Sequence, residues 1–130
     1  IFPLFPIFSP LNVISFTIRY VAPNNESYLS YAPNEEAFAI IYYSNIKLNE
    51  KSLKDAASTI QKLVNLTLEN DGTYYLTYNL FPTQEQIRKA YPKIDYFFER
   101  KKYYDPNELF MNKFYEKYAL GVEDEKYRKT

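Results

Sequence analysis

Residues 13–21 point alternately to two sides that differ in polarity, a pattern that predicts a β-strand. One side of this strand carries only apolar side chains, namely Ile14, Phe16, Ile18 and Tyr20. The other side carries the polar residues Ser15, Thr17 and Arg19 between two valines. The apolar side is expected to pack on helices. The polar side has two interpretations, a solvated sheet face or the wall of a binding site.

Two further segments are typical of strands. The sequence AFAIIYY at 37–43 is an almost unbroken apolar run and predicts a strand buried on both faces. The sequence TYYLTYN at 73–79 alternates, with Tyr75, Thr77 and Asn79 on its polar side. If this strand lies near 13–21 in one sheet, the two polar sides form a continuous floor of hydrogen-bonding groups with one cation. Such a floor suits a polyhydroxylated or carboxylated small molecule.

A long helix is predicted from Asn49, its N-cap, to a left-handed stop at Asp71-Gly72. Its apolar positions recur every three or four residues and are Leu53, Ala56, Ala57, Ile60, Leu63, Val64 and Leu68. This helix is expected to cover the apolar side of the sheet.

Three shorter helices are predicted after Pro82. Thr83 and Gln86 have the spacing of a capping box, and Pro92 is expected at the first position of the next helix, which runs to Asp105. Asp105 and Glu108 predict a second capping box. The last helix is expected to be lined by Leu109, Phe110, Phe114 and Tyr118.

The predicted fold class is therefore α+β, an antiparallel sheet with helices packed on one face and a C-terminal helical segment. Residues 13–82 form the sheet-and-helix part, 83–120 the helical segment and 121–130 a frayed tail. The opening IFPLFPIFSPL is apolar and carries three prolines, which forbid a continuous helix. We interpret residues 1–12 as an arm that crosses from another domain of a longer chain.

Composition excludes several classes of function. The 130 residues carry 16 basic and 16 acidic side chains, so the cationic excess of a nucleic-acid-binding protein is missing. The chain has no Cys and no His, which rules out disulfides, histidine zinc sites and a Ser-His-Asp triad within it. Its two glycines are too few for a phosphate-binding loop. We expect no metal and no nucleic-acid partner. With no signal-peptide or membrane-spanning pattern, we expect a cytoplasmic location.

Aromatic residues are unusually frequent, with 15 Tyr and 10 Phe. Tyrosine combines a large apolar ring with a hydroxyl that needs a partner, so it suits interfaces and pockets with a wet edge. Compositional drift is the second explanation, and the sequence leaves both open.

The tail YPKIDYFFERKKYYDPNELFMNKF at 91–114 combines Tyr-Pro, an aromatic pair, a basic stretch, Asp-Pro and Phe-x-Asn. This order resembles the C-terminal signature of FAD-linked oxidases of the vanillyl-alcohol-oxidase and p-cresol-methylhydroxylase superfamily, with the sugar-lactone and alditol oxidase branch closest. Three upstream segments add to the likeness in the same order, namely FSPLNVISFTIRYV, LSYAPNEEAFAIIYY and GTYYLTYNLFPT. The likeness spans residues 8–118.

The resemblance implies a C-terminal substrate (cap) domain whose sheet covers the isoalloxazine ring. FAD would be held mainly by an N-terminal FAD-binding domain of the same parent chain. The implied reaction is oxidation of a CH–OH group of a small sugar-like or hydroxy-acid substrate by hydride transfer to the flavin, and the chain alone would be inactive. Arg19 corresponds to an arginine near the flavin and substrate, so the resemblance gives it a catalytic and cofactor-binding role.

Five other residues complete the expected site. Thr17 falls where the alditol branch tends to carry an acid, and a threonine supplies no carboxylate, which counts against alditol substrates. Asn79 falls where that branch often carries a lysine near the flavin, and this departure removes a cation. Substrate contacts are expected from Thr17, Tyr75, Thr77 and Asn79. The resemblance also places Asn79 and Asn112 near the cofactor, although Asn112 has the alternative role of bonding to backbone.

A second hypothesis needs no flavin. In it the chain is a non-catalytic, aromatic-rich binding module for a carbohydrate or protein partner. The enzyme hypothesis predicts in addition an exposed apolar surface on the isolated piece, and with it a possible homodimer.

Overall fold

The computed structural model describes residues 12–122, which contain two strands and four helices. The strands are β1 (Asn12–Val21) and β2 (Ala37–Asn45), and the helices are α1 (Glu50–Leu68), α2 (Gln84–Ala90), α3 (Ile94–Tyr104) and α4 (Lys113–Tyr118). The α+β fold class is confirmed. Nearly all of the proposed arm 1–12 and most of the tail 121–130 lie outside the described residues.

The sheet is an antiparallel pair of β1 and β2. Arg19 lies opposite Ala39 on one face, and Ile18 lies opposite Ile40 on the other, so the two-sided pattern predicted for β1 is present. The register shifts between Val13 and Ser15, which bends the start of β1.

The third strand predicted at 73–79 is not formed, and within residues 12–122 β1 pairs only with β2. This segment is a turn and irregular chain tied down by side chains. The Thr73 hydroxyl donates to the carbonyl of Tyr31, and the Tyr91 hydroxyl donates to the carbonyl of Tyr74. These hydrogen bonds hold the segment against the 22–36 connection and the helices in place of a strand ladder.

The apolar face of the hairpin is exposed, contrary to the expectation that α1 covers it. Ile18, Phe38 and Ile40 each leave more than half of their surface open. The prediction that 37–43 is buried on both faces is therefore wrong, although the strand itself is present. The physical reason is that the helices bury their apolar side chains against one another, in a core separate from the hairpin.

Helix α1 begins as predicted, because the Asn49 side chain accepts a hydrogen bond from the backbone N–H of Ser52 at 2.9 Å. After its C-terminus the left-handed conformation falls on Asp71, with φ of 56°, rather than on Gly72. Its buried residues are Ala56, Thr59, Ile60 and Val64. Of the helices within residues 12–122, none combines the length and apolarity that crossing a membrane would require.

The main core lies in the C-terminal half of the described chain. It consists of the buried side chains Ile87, Ala90, Tyr91, Ile94, Phe98, Tyr115 and Tyr118. The capping box at α2 is confirmed, since Thr83 accepts from the N–H of Gln86 and Gln86 accepts from the N–H of Thr83. Gln86 also donates to Gln61 and Asn65 of α1, which joins α1 to this core.

Two helix boundaries differ from the sequence prediction. Pro92 lies in a turn, and α3 begins two residues later at Ile94. The second capping box is absent because residues 105–112 form a loop rather than the start of a helix. In this loop Glu108 has φ of 53°, which a right-handed helix cannot contain, and α4 is capped instead by Asn112. Leu109 and Phe110 are exposed as a result, whereas Phe114 and Tyr118 do line α4.

Candidate functional site

Arg19 occupies the middle of the polar face of the hairpin. Its side chain is exposed, and within residues 12–122 its guanidinium has neither a hydrogen-bond partner nor a carboxylate in salt-bridge range. Its cross-strand neighbour is Ala39, whose methyl group leaves the space beside the guanidinium open. An arginine in this setting can offer its planar set of donors to an external carboxylate, phosphate or polarised oxygen.

Thr17 lies two residues before Arg19 on the same face, half-buried and opposite Ile41. The two site residues expected from β1 therefore share a surface. Ala37, Ala39 and Ile41 line the same face on β2, so Arg19 is the one charged side chain among the paired strand residues of this face.

The other expected substrate residues are not joined to this face by sheet pairing, because 73–79 is not a strand. Tyr75 and Thr77 are exposed. Asn79 is half-buried, and its side-chain oxygen accepts from the backbone N–H of Phe81 at 3.3 Å. The continuous polar floor predicted from two neighbouring strands is therefore wrong.

Instead, Tyr75 belongs to a cluster of three tyrosines on the surface, which we call the tyrosine cluster. The Tyr75 ring lies edge-on to Tyr31, with centroids 5.7 Å apart, and edge-on to Tyr78, with centroids 5.0 Å apart. All three side chains are exposed. Sequence alternation could not find this cluster, because Tyr31 comes from the distant 22–36 connection.

Beneath the cluster, three tyrosine hydroxyls are buried in the helical core. Tyr91 donates to the Tyr74 carbonyl, and Tyr118 donates to the Pro82 carbonyl at 2.8 Å. The hydroxyl of Tyr74 is buried without a hydrogen-bond partner among the described residues. Burial raises the pKa of all three phenols above the ordinary value, so they stay protonated and serve packing rather than acid–base chemistry.

The loop 105–112 is built around one carboxylate. Asp105 accepts from the backbone N–H of Leu109 at 2.9 Å and of Phe110 at 3.0 Å, and Lys101 lies 2.8 Å from the same group. The hydrogen bond from Lys101, followed by that from Phe110, lowers the pKa of Asp105 from 3.8 to about 2. The Glu108 carboxylate accepts from the Tyr115 hydroxyl at 2.9 Å, which fixes the far side of the loop.

Asn112, expected near a cofactor, has a structural task at the end of this loop. Its side-chain oxygen accepts from the backbone N–H of Tyr115 at 2.8 Å and caps α4. The alternative that the sequence left open, bonding to backbone, is therefore present. The amide nitrogen of the same side chain still has its donors for an external acceptor.

A polar hollow of about 200 Å³ lies between α1 and α2, away from the hairpin. It is lined by Asn65, Leu68, Glu69, Glu85, Gln86 and Lys89. It contains none of the residues that the sequence assigns to a site. Two carboxylates and one ammonium at its edge give it no strong charge preference, and the buried amide of Gln86 already bonds to protein groups.

Three of the described residues were expected near FAD, namely Arg19, Asn79 and Asn112. Arg19 is exposed and has no hydrogen-bond partner among residues 12–122, so its donors are accessible to an outside group. Asn79 and Asn112 retain amide donors but use their oxygens for backbone hydrogen bonds. No loop among residues 12–122 has the glycines that bind a pyrophosphate, so the bulk of such a cofactor would have to be held by another domain.

Comparison with known proteins found no match: no family model, no curated protein and no solved structure matches the chain. The likeness to FAD-linked oxidases therefore stays a prediction from the motifs quoted above.

Proposed function

We propose that this chain is the substrate-domain part of an FAD-dependent oxidoreductase that oxidises a CH–OH group of a small polar substrate. The observation that carries the proposal is Arg19, an exposed arginine without a partner among residues 12–122, on the strand where the resemblance calls for one. Among residues 12–122 no carboxylate lies in salt-bridge range of Arg19, so its donors are open to an oxygen of a substrate or cofactor.

The C-terminal segment gives a second line of support. The Asp-Pro and Phe-x-Asn elements of the resemblance fall in the loop 105–112, where Asp105 holds the backbone and Asn112 caps the next helix. The loop is thereby fixed while Leu109 and Phe110 point into solvent. In our proposal this exposed pair docks on the FAD-binding domain of the same parent chain.

The proposed roles combine the resemblance with the positions of Thr17 and Arg19 on one face of β1. FAD, when bound, supplies the acceptor for a hydride from the carbon that carries the substrate hydroxyl. Arg19 binds an anionic or polarised oxygen of the substrate or cofactor and stabilises negative charge there. Thr17, on the same face, orients the substrate by a hydrogen bond. Because no carboxylate accompanies Arg19 on that face, we expect sugar lactones or hydroxy acids as substrates rather than alditols.

The test is rapid-reaction kinetics on the full-length parent protein, reduced by a panel of lactones, hydroxy acids and alditols. Arg19→Ala is expected to slow flavin reduction by 10²-fold or more, on the order of the effect of removing one charge-stabilising donor, while FAD stays bound. Arg19→Lys is expected to recover part of the rate because it keeps the charge but not the planar donor set.

Ser44→Ala, a change of the same kind on the opposite face of the two strands, serves as the control and is expected to leave the reduction rate unchanged. A parent protein without bound flavin, or an Arg19→Ala variant reduced as fast as wild type, would contradict the proposal. A cytoplasmic location belongs to the same proposal, and localisation of the tagged parent protein tests it.

The tyrosine cluster favours a second candidate, a non-catalytic module that binds a carbohydrate. Exposed tyrosine rings held edge-on to one another provide apolar faces beside hydroxyl groups, which suits the surface of a sugar ring. Titration of oligosaccharides against intrinsic tyrosine fluorescence distinguishes the candidates. Binding that is lost in Tyr75→Ala and kept in Arg19→Ala would favour the module.

A further inference from the structure

The exposed face of the hairpin carries an apolar patch made of Ile18, Tyr20, Phe38 and Ile40. These side chains are exposed by 68%, 58%, 73% and 60%. They form two cross-strand pairs, Ile18 with Ile40 and Tyr20 with Phe38, and the second pair is an edge-on ring contact with centroids 6.2 Å apart. The patch is therefore a preformed surface with a defined shape.

The helices of residues 12–122 do not cover this patch. The helices form their own core, and the patch stays open beside them. Arg19 lies on the opposite face of the same two strands, because successive residues of a strand point to opposite sides. An FAD-binding domain that contacts only the Arg19 face would leave the patch uncovered.

We propose that the patch is the two-fold interface of a homodimer, in which two hairpins pack face to face. With roughly 200 Å² for a side chain of this size, the four exposed fractions amount to about 500 Å² in each protomer. Two protomers would then bury about 1,000 Å², the least area expected of a specific interface.

The chemistry of the patch also fits a second copy of itself. No charged side chain lies among its four residues, so two copies related by a two-fold axis meet without like-charge repulsion. The polar end of Tyr20 lies at the rim, where its hydroxyl donates to the Glu36 carboxylate at 3.1 Å. Face-to-face sheets about 10 Å apart would interdigitate these aliphatic and aromatic side chains.

The mass in solution tests the proposal directly. Light scattering and sedimentation over a dilution series are expected to give twice the 15.5 kDa of the chain. Ile40→Asp is expected to give the monomer mass, because it places a buried charge against its own copy across the axis. Leu48→Asp is the matched control: it adds the same charge at an exposed leucine outside the patch, and it is expected to stay dimeric.

Cross-linking supplies a readout that does not depend on a destabilising charge. The chain has no cysteine, so Ile18→Cys is expected to form a disulfide-linked dimer on mild oxidation, whereas Thr17→Cys on the opposite face is not. A wild-type monomer at all concentrations, or equal cross-linking of the two variants, overturns the proposal. A full chain that is monomeric, together with a truncated chain lacking residues 1–11 that is dimeric, also overturns the proposal. That result would mean that residues 1–11 cover the patch in the full chain.

Discussion

The carboxylate of Asp105 and the ammonium of Lys101 lie 2.8 Å apart, one turn from each other at the end of α3. Both side chains are largely buried, and the same carboxylate accepts the two backbone N–H groups that shape the loop after it. A single charged group thus ends a helix and fixes the loop that presents Leu109 and Phe110.

This arrangement predicts an acid-sensitive contribution to stability. The pKa of Asp105 is lower in the folded chain, about 2 against 3.8, so the unfolded chain binds more protons between these values and the free energy of unfolding rises with pH there. The contribution is complete above pH 3.8 and is lost as the pH falls towards 2. In Asp105→Asn, denaturant titrations at a series of pH values are expected to show lower stability at neutral pH and a flatter acid limb.

Asp95→Asn provides the control for this prediction. Asp95 pairs with Arg88 at 3.0 Å, but both side chains are exposed, and such pairs contribute little. Its acid limb is expected to match that of the wild type. An Asp105→Asn variant with the wild-type pH dependence would show that the carboxylate does not hold the loop.

Two tyrosines of the helical core form a matched pair for a second prediction. Tyr118→Phe removes a buried hydroxyl that donates to the Pro82 carbonyl, so we expect a loss of about 1–3 kcal/mol in the free energy of unfolding. Tyr74→Phe removes a buried hydroxyl without a partner among the described residues. We expect this variant to be unchanged or more stable by about 1 kcal/mol. Equal losses in thermal and denaturant unfolding would contradict the assignment.

A third prediction concerns the amide of Gln86. Its oxygen accepts from Thr83, and its nitrogen donates to Gln61 at 2.8 Å and to the side-chain oxygen of Asn65 at 2.7 Å. Gln86→Glu replaces the two donors by a carboxylate oxygen that faces two other oxygens. We expect a loss of about 2–3 kcal/mol, more than the ~1 kcal/mol expected for the cap variant Thr83→Ala.

Glu85→Gln, at an exposed neighbouring position of the same helix, is the control and is expected to stay within about 0.5 kcal/mol of wild type in chemical denaturation. If Gln86→Glu lost no more stability than Thr83→Ala, the hydrogen bonds from Gln86 to α1 would add nothing to stability beyond the helix cap.

Gln86 also shows which contacts local sequence rules can predict and which they cannot. The capping box follows from two residue types three positions apart, and the Asn49 cap and the α1 stripe are equally local, so the sequence predicts them. The bonds from Gln86 to α1 join residues more than 20 positions apart and have no local signal. The same limit applies to the tyrosine cluster, where Tyr31 and Tyr75 are 44 positions apart in the printed sequence.

The failed strand at 73–79 has a related cause. Alternation measures which side chains would share a face if the backbone were extended, but it does not supply a neighbouring strand for the backbone groups. Here the backbone carbonyls of Tyr31 and Tyr74 are taken by the hydroxyls of Thr73 and Tyr91 instead. The site predicted from two polar faces therefore reduces to Thr17 and Arg19 on β1.

The last prediction compares exposed with buried apolar side chains in the C-terminal part of the described chain. Phe110 is 81% exposed and Leu109 76%, whereas Phe98 is buried in the core. In the chain alone, the double variant Leu109→Ser, Phe110→Ser is expected to change the free energy of unfolding by no more than about 0.5 kcal/mol. Phe98→Ala is expected to cost about 3–5 kcal/mol.

The same double variant in the parent protein reports on the proposed contact with an FAD-binding domain. There it is expected to lower the melting temperature and to weaken flavin retention, because two apolar side chains that were buried between domains are lost. The serine substitutions keep the Asp105 hydrogen bonds, which involve only the backbone of these residues. An equal, negligible effect in both proteins would mean that Leu109 and Phe110 do not contact that domain.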